Sequence, residues 1–417
     1  MTLQIELNDS IAYDGWSDAD EEELAKLDDT SNTDRPNSFL ECDRLLATNG
    51  PPKQRYRPKR YLIVSDLAKQ LWCEQQLLYG FSPEIYLSRA LPDSKVDIDE
   101  TDEQKATRRK GADIHLAREQ DINKPVPVEI ITREDDWAVR LLNLQFAVLS
   151  FHNGSKVARE VPIFGMPFGI DDVIYGIVDE LQYDPDTHAI VISELKTRRS
   201  NFPPKKSQQD KDLYQVSLYA QLFNELVQGK VNKHLLNTHL QLDLDAEFSD
   251  GVRERLKESG SDALTLSQLF DIVLSQVQSL TCIEFTNLEY ILQEDNSTIL
   301  EVKLNYDPEN IKAKVLNQVR WWKGERGTVG VDVEDCWKCS FCRFSELCEW
   351  RQKINPKVSE SNLEGGSNGV SQNCESSKVM SEQVKLEGGS NGEPQNCESS
   401  KVTSEQVKLE GGSNGEP

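Results

Sequence analysis

The sequence has no apolar run near the roughly 20 residues that a membrane-spanning helix needs. Its start, MTLQIELNDSIAYDGWSDADEEE, lacks the basic region and apolar core of a secretory leader. That start is also too acidic for a mitochondrial presequence. The expected home is the nucleus, with the cytoplasm as a second compartment, and disulfides do not persist there. Nine cysteines then need another use. Positive charge is in short supply too: 47 Lys and Arg stand against 71 Asp and Glu, a net of −24. Such a chain is not built to wrap duplex DNA non-specifically, because that binding is carried by cations on phosphates.

The acidity is uneven, and it divides the chain. Residues 1–50 carry 13 acidic and 3 basic side chains, and residues 355–417 carry 10 and 5. From Leu363 a 23-residue unit recurs at Leu386 and Leu409, rich in Gly, Ser and Glu and without a repeating apolar face. Both ends are expected to be disordered, leaving 51–354 as the folded domain. Within it, basic residues gather at Lys53–Arg60, at Arg108-Arg109-Lys110, and at Arg198-Arg199 with Lys205-Lys206.

The centre of the domain is Gly176–Lys196, GIVDELQYDPDTHAIVISELK. Two apolar runs flank Asp184-Pro185-Asp186-Thr187, which is turn chemistry, so the stretch reads as an antiparallel hairpin. With Tyr183 paired to His188, Asp179 lies opposite Ile192. Alternation along the strands then puts Asp179, Glu194 and Lys196 on one face. Two carboxylates so placed can share a hard cation such as Mg2+. A lysine beside them can orient a water or offset charge on a phosphoryl transition state.

Other stretches supply company. Tyr61–Val64 reads as a strand, followed by a helix capped by Ser65, ended by Gly80 and containing Cys73. In KGADIHLARE, Gly111, His115 and Glu119 fall on one helix face, where His115 can complete a metal shell. Asp210–Gln228 reads as an amphipathic helix with Gln215 and Tyr219 on a polar border. Residues 245–262 read as a polar connection and Leu264–Leu280 as a helix. Cys282–Leu292 and Ser297–Tyr306 read as a second hairpin, and Pro308 opens a helix ending near Trp322. In CWKCSFCRFSELC, Cys336, Cys339, Cys342 and Cys348 can bind Zn2+ among themselves, or three of them can join a distant cysteine around an iron–sulfur cluster.

Together, SDLAKQLWCEQQLLYG, KGADIHLARE, GIVDEL with SELKT, QVSLYAQLF and WKCSFCRFSELCEW resemble, in that order, the motifs of the exonuclease V family. That family is a RecB-type branch of the PD-(D/E)XK nuclease superfamily. The resemblance implies an α/β fold, a mixed sheet flanked by helices, with an iron–sulfur-stapled helical region. It implies Asp179, Glu194 and Lys196 as catalytic residues, with His115, Asp179 and Glu194 holding Mg2+. It implies Cys73, Cys339, Cys342 and Cys348 around a 4Fe–4S cluster, with Cys336 additional to the family's triplet. Gln215 and Tyr219 would contact DNA, joined by Lys110 and Arg198 from the basic clusters. The implied activity is Mg2+-dependent exonucleolytic cleavage of single-stranded DNA in repair and genome maintenance. The expected protein is a monomer off the membrane, with single-stranded DNA and a single-strand-binding protein as partners. The competing reading is a DNA or protein adaptor, either zinc-binding or a nuclease fold that has lost activity.

Overall fold

The computed structural model describes residues 2–7, 50–83, 101–121 and 123–354. All of these belong to one unit, Met1–Gly365. The repeats and most of the acidic first fifty residues lie outside the described residues. Six of those fifty do form an element, however. β1 (Thr2–Leu7) is a strand in a stretch expected to be disordered. Next in the chain come α1 (Pro52–Tyr56), β2 (Leu62–Ile63) and α2 (Val64–Phe81). α3 (Asp102–Gln120) opens on a capping box between Thr101 and Gln104. β3 (Asn123–Val128) pairs in parallel with β1. α4 (Arg133–His152) opens on a second capping box, Thr132 with Asp135.

The sheet strands β4 (Val157–Gly165), β5 (Ile174–Tyr183) and β6 (Ile190–Arg198) follow, then α5 (Lys206–Val227), α6 (Lys233–Leu240), α7 (Asp250–Glu258) and α8 (Leu266–Val277). α7 occupies part of what reads in the sequence as a connection; its Val252 and Leu256 are buried, and two apolar anchors suffice for a short helix. β7 (Phe285–Leu292), β8 (Thr298–Asn305), α9 (Glu309–Trp322) and α10 (Glu349–Ile354) complete the unit. The second hairpin and the helix after Pro308 thus lie where the sequence puts them. No described helix is long and apolar enough to cross a membrane.

Six strands make one mixed sheet in the order β2-β5-β6-β7-β8, with β4 also on β5. β4 covers one edge of β5 along almost its whole length, from Gln182 to Ile174. The other edge is shared. β2 takes Ile174 and Tyr175 in parallel, and β6 takes Glu180 to Tyr183 antiparallel. Between them, from Gly176 to Asp179, β5 and β6 splay into a fork. β6 is held on its far side by β7, in parallel from Val191 to Arg198.

The hairpin register differs from the expected one by two residues. Tyr183 pairs with Ile190, not His188, and Leu181 pairs with Ile192. The turn is longer because His188 adopts a left-handed φ of 58° and Asp184 N–H bonds to the Ala189 carbonyl at 3.0 Å. A shift of two preserves faces. Continued one pair further, the register sets Asp179 against Glu194. α2 also departs from expectation. Ile63, not Ser65, stands at its N-cap, without a side-chain cap bond, and its last residue is Phe81. At Cys73 the helix breaks, with φ −167° and ψ 109°.

α5 is not amphipathic in place. From Tyr214 to Leu226 every residue is buried. The helix packs on β4, β6 and β7 and is covered in turn by α2, α8 and α9. It is the element that presses Gln215 and Tyr219 into the fork.

Candidate active site

Asp179 sits at the mouth of the fork. Its Oδ2 accepts the Leu195 backbone N–H at 3.0 Å, making through a side chain the bond that the strand ladder no longer makes. Glu194, 2% exposed, lies opposite. Its Oε1 accepts Lys196 Nζ at 2.7 Å and Gln215 Nε2 at 3.2 Å. Its other oxygen, Oε2, is buried and accepts no hydrogen bond. Lys196 also donates to Gln215 Oε1 at 3.2 Å. The three residues expected to share a face therefore do share one, and Gln215 clamps two of them.

Close approach is made possible by two glycines. A Cβ on Gly176 would stand 2.6 Å from the Tyr219 ring and 2.9 Å from Val64. Without that side chain the ring lies against the strand, and its hydroxyl accepts Gln215 Nε2 at 3.1 Å. A Cβ on Gly111 would stand 2.8 Å from Thr197 Oγ1. Its absence lets α3 close on β6 and carries His115, one turn later, to 3.7 Å from Asp179 Oδ2.

Burial tunes the charges. It pushes the Glu194 carboxyl up to about 7, with Asp179 adding repulsion that Lys196 only partly offsets. Asp179 is raised by burial as well, against the pull of Lys196 and the Leu195 N–H. Burial works against the Lys196 ammonium, but Glu194, Asp212 and Asp179 outweigh it and hold the lysine above its ordinary range. His115 is pushed down to about 4 by burial, then by Lys196, so it is a neutral imidazole at neutral pH, able to offer a lone pair.

A cleft of about 190 Å³ opens over these groups, lined also by Arg198, Lys211, Asp212 and Tyr290. Arg198 thus reaches the site, whereas Lys110 is exposed on α3 and is not among the lining residues. Gln215 and Tyr219 are 1% exposed each; Gln215 bonds to Glu194, Lys196 and Tyr219, and neither faces solvent. Lys53 and Arg57, from the first basic cluster, are committed to ion pairs with Asp172 and Asp66. Two residues were missed. Asp212 accepts Tyr290 OH at 2.9 Å and Gln208 Nε2 at 3.0 Å, and forms an ion pair with Lys211 at 3.2 Å. Asp212, Gln215 and Tyr219 recur at i, i+3 and i+7, one helix face, which was a readable signal. Tyr290 gave none, since only the β6–β7 register brings it beside Lys196.

A second cluster lies where α2 meets the end of the domain. Cys73, Cys339, Cys342 and Cys348 line one small cavity. Cys73 stands at the break in α2, where its Sγ accepts the Gln76 N–H at 3.4 Å while lining the same cavity as the other three. Burial pushes the Cys73 thiol up to about 12, with further contributions from Cys342, Cys348 and Cys339. Cys339 is likewise pushed up to about 11, mainly by burial. Cys336 is not among the lining residues and turns its thiol to the Asp332 carbonyl at 3.7 Å. Other contacts join the same two segments: Arg326 grips Glu74 through bonds of 2.7 and 2.6 Å, and Gln75 N–H bonds to the Val329 carbonyl at 3.1 Å. Among the described residues, no three His, Cys, Asp or Glu side chains stand at ligand spacing around one point.

Residues 52–189, 183–279 and 262–351 match the family described as "Exonuclease V - a 5' deoxyribonuclease". A curated protein of Danio rerio, "Exonuclease V", is 34% identical over 337 residues, covering 80% of this chain and 79% of its own length. A solved structure titled "Crystal structure of SSO0001" is 14% identical, covering 70% of this chain and 87% of that one. Its TM-score of 0.33 is too low to speak for a common fold. The family match spans both strands of the fork, the helix behind it and the cysteine segment, and it makes this chain a member of the exonuclease V family, a DNA exonuclease.

Proposed function

We propose that the chain degrades single-stranded DNA from a 5′ end, with Mg2+ as the catalytic cation and a 4Fe–4S cluster as a structural tie. The observation that carries the reading is the buried carboxylate of Glu194, with one oxygen unbonded, set against Asp179 and held beside a lysine. An orphaned buried carboxylate oxygen is costly, and a cation is the partner that removes the cost. Asp179 and Glu194 would hold Mg2+ through oxygen, its preferred donor, and neutral His115 would add one ring nitrogen. When bound, the ion supplies a polarised phosphate oxygen and a more acidic water. The protein's own part is positioning. Lys196 keeps a positive charge at the fork, where the phosphoryl group gains negative charge. Gln215 fixes Lys196 and Glu194 together, and Tyr219 fixes Gln215. Arg198 at the cleft wall offers a fork of donors to a phosphate oxygen.

Cys73, Cys339, Cys342 and Cys348 would hold the cluster. Their common cavity supports this set over one containing Cys336. Four thiolates are what a cubane cluster takes. Its bonds would close a loop of 266 positions between Cys73 and Cys339, restricting the unfolded chain.

The reading is tested with anaerobically purified protein on strands labelled at the 5′ or the 3′ end, single and duplex, with and without Mg2+. The expected result is a brown protein that shortens single strands from the 5′ end only when Mg2+ is present. A colourless protein, or equal degradation of duplex, contradicts the corresponding part.

A further inference from the structure

Beyond the cleft, two exposed aromatic rings stand among cations. The loop from β6 to α5 carries Phe202, 77% exposed. It is not a loose loop: Pro204 is buried, and its carbonyl accepts Gln209 Nε2 at 2.8 Å. An anchored Pro-Pro pair holds the phenyl ring out in water, where it adds nothing to the core. Arg198 at the root of this loop lines the cleft, and Lys205 at its end lies 3.8 Å over the ring of Trp337. The Trp337 ring is 6.4 Å from that of Phe341, which is 81% exposed and belongs to the cysteine segment. Rings and cations thus run from the wall of the cleft to the cysteine junction, on a protein of net charge −24.

We infer that Phe202 and Phe341 are the stacking rings of a single-strand track leading to the active site. This deepens the single-strand reading proposed above and rests on it. A polyanion with free bases meets two needs at once here: phosphates pair with Arg198 and Lys205, and unpaired bases offer a π-face to each phenyl ring. Duplex bases are already stacked on both sides, so the track discriminates against duplex without reading sequence. The chemistry makes Phe202 and Phe341 specificity-determining and leaves hydrolysis to the fork.

The test uses the full chain as wild type, Phe202→Ala, Phe341→Ala, the double variant and Phe202→Tyr. Binding to a labelled single-stranded oligonucleotide is measured by anisotropy without Mg2+, and cleavage of single and duplex strands is measured with it. Each alanine is expected to weaken single-strand binding roughly fivefold to a hundredfold, the range for loss of one base–aromatic stack. Phe202→Tyr should bind within about twofold of wild type, since a tyrosine ring stacks as well. An abasic gap walked along the strand should cost the wild type affinity at one or two positions, and cost the double variant none there. Wild-type preference for single strands with unchanged binding by both alanine variants overturns the track alone. Equal cleavage of duplex and single strand by the wild type overturns the reading beneath it.

Discussion

The fork and the cysteine junction both gather reactive side chains, and the chain builds them in opposite ways. The fork takes Asp179, Glu194 and Lys196 from one hairpin and sets them by strand alternation and a splayed ladder. The junction draws Cys73 from a helix near the start of the domain and the rest from its end, and needs a broken helix to do so. At the fork, charge is held in place by hydrogen bonds: Gln215 to Glu194, Lys196 to both, and the Leu195 N–H to Asp179. At the junction, four thiols line one partly buried cavity, and burial holds the protons on Cys73, Cys339 and Cys342 more tightly than in water. A local motif can be preorganised by the strands that carry it. A motif assembled from distant segments has to be paid for by packing, here the Glu74–Arg326 grip and the aromatic contact of Tyr79 with Phe344 at 5.5 Å.

This contrast can be broken by substitution. The largest effect is expected at Cys73→Ala. It should remove the brown colour and cost on the order of 5 kcal/mol or more, because the binding free energy of a structural metal group is folding free energy. Visible absorbance and urea denaturation of anaerobic protein check this; a brown, equally stable variant would detach Cys73 from the junction. Next comes Gln215→Ala, which leaves Lys196 and Glu194 unclamped. Turnover should fall roughly tenfold to a hundredfold, the usual cost of removing a residue that orients a metal ligand. The steady-state rate on a saturating single strand is the readout, and an unchanged rate would make the clamp incidental.

A smaller effect, on stability, is expected for Gly176→Ala. Its methyl would press on the Tyr219 ring and on Val64, and overpacking of that kind costs about 1–3 kcal/mol. The urea midpoint measures it, and a midpoint equal to wild type would show that the ring has room to move. The smallest effect is expected at Cys336→Ala, which lies outside the cavity. Colour and midpoint should both be retained within about 0.5 kcal/mol, the range for a substitution away from special features. Loss of colour there would exchange Cys336 for Cys73 in the ligand set.

How far each region was legible follows from the same contrast. The hairpin reads from its turn residues and alternation, and its face assignment survived a register error because the error was even. The error came from His188, whose left-handed backbone no pattern of apolar residues reveals. Cys339, Cys342 and Cys348 read as a metal group from spacing, but the link to Cys73 came from resemblance, since no local periodicity spans such a distance. α5 read as amphipathic because polar Gln215, Ser217, Gln221, Asn224 and Glu225 interrupt its apolar stripe. All five are buried, and hydrogen bonds satisfy them: Asn224 holds the backbone of Ile283, Gln221 holds Glu225, and Ser217 bonds to the Leu213 carbonyl. β4 and α4 carry no motif, yet β4 covers the far edge of β5 and so leaves the fork as the open one.

Hydrolysis at the fork by Glu194, with Asp179 and Lys196, is the central proposal. Glu194→Gln keeps the size of the side chain and removes its charge, and it tests this most directly. Cleavage of an end-labelled single strand in Mg2+ should fall on the order of a thousandfold or more, while the urea midpoint and the colour of the protein stay at wild-type values. Cleavage within about tenfold of wild type by that folded, coloured variant would place the chemistry elsewhere.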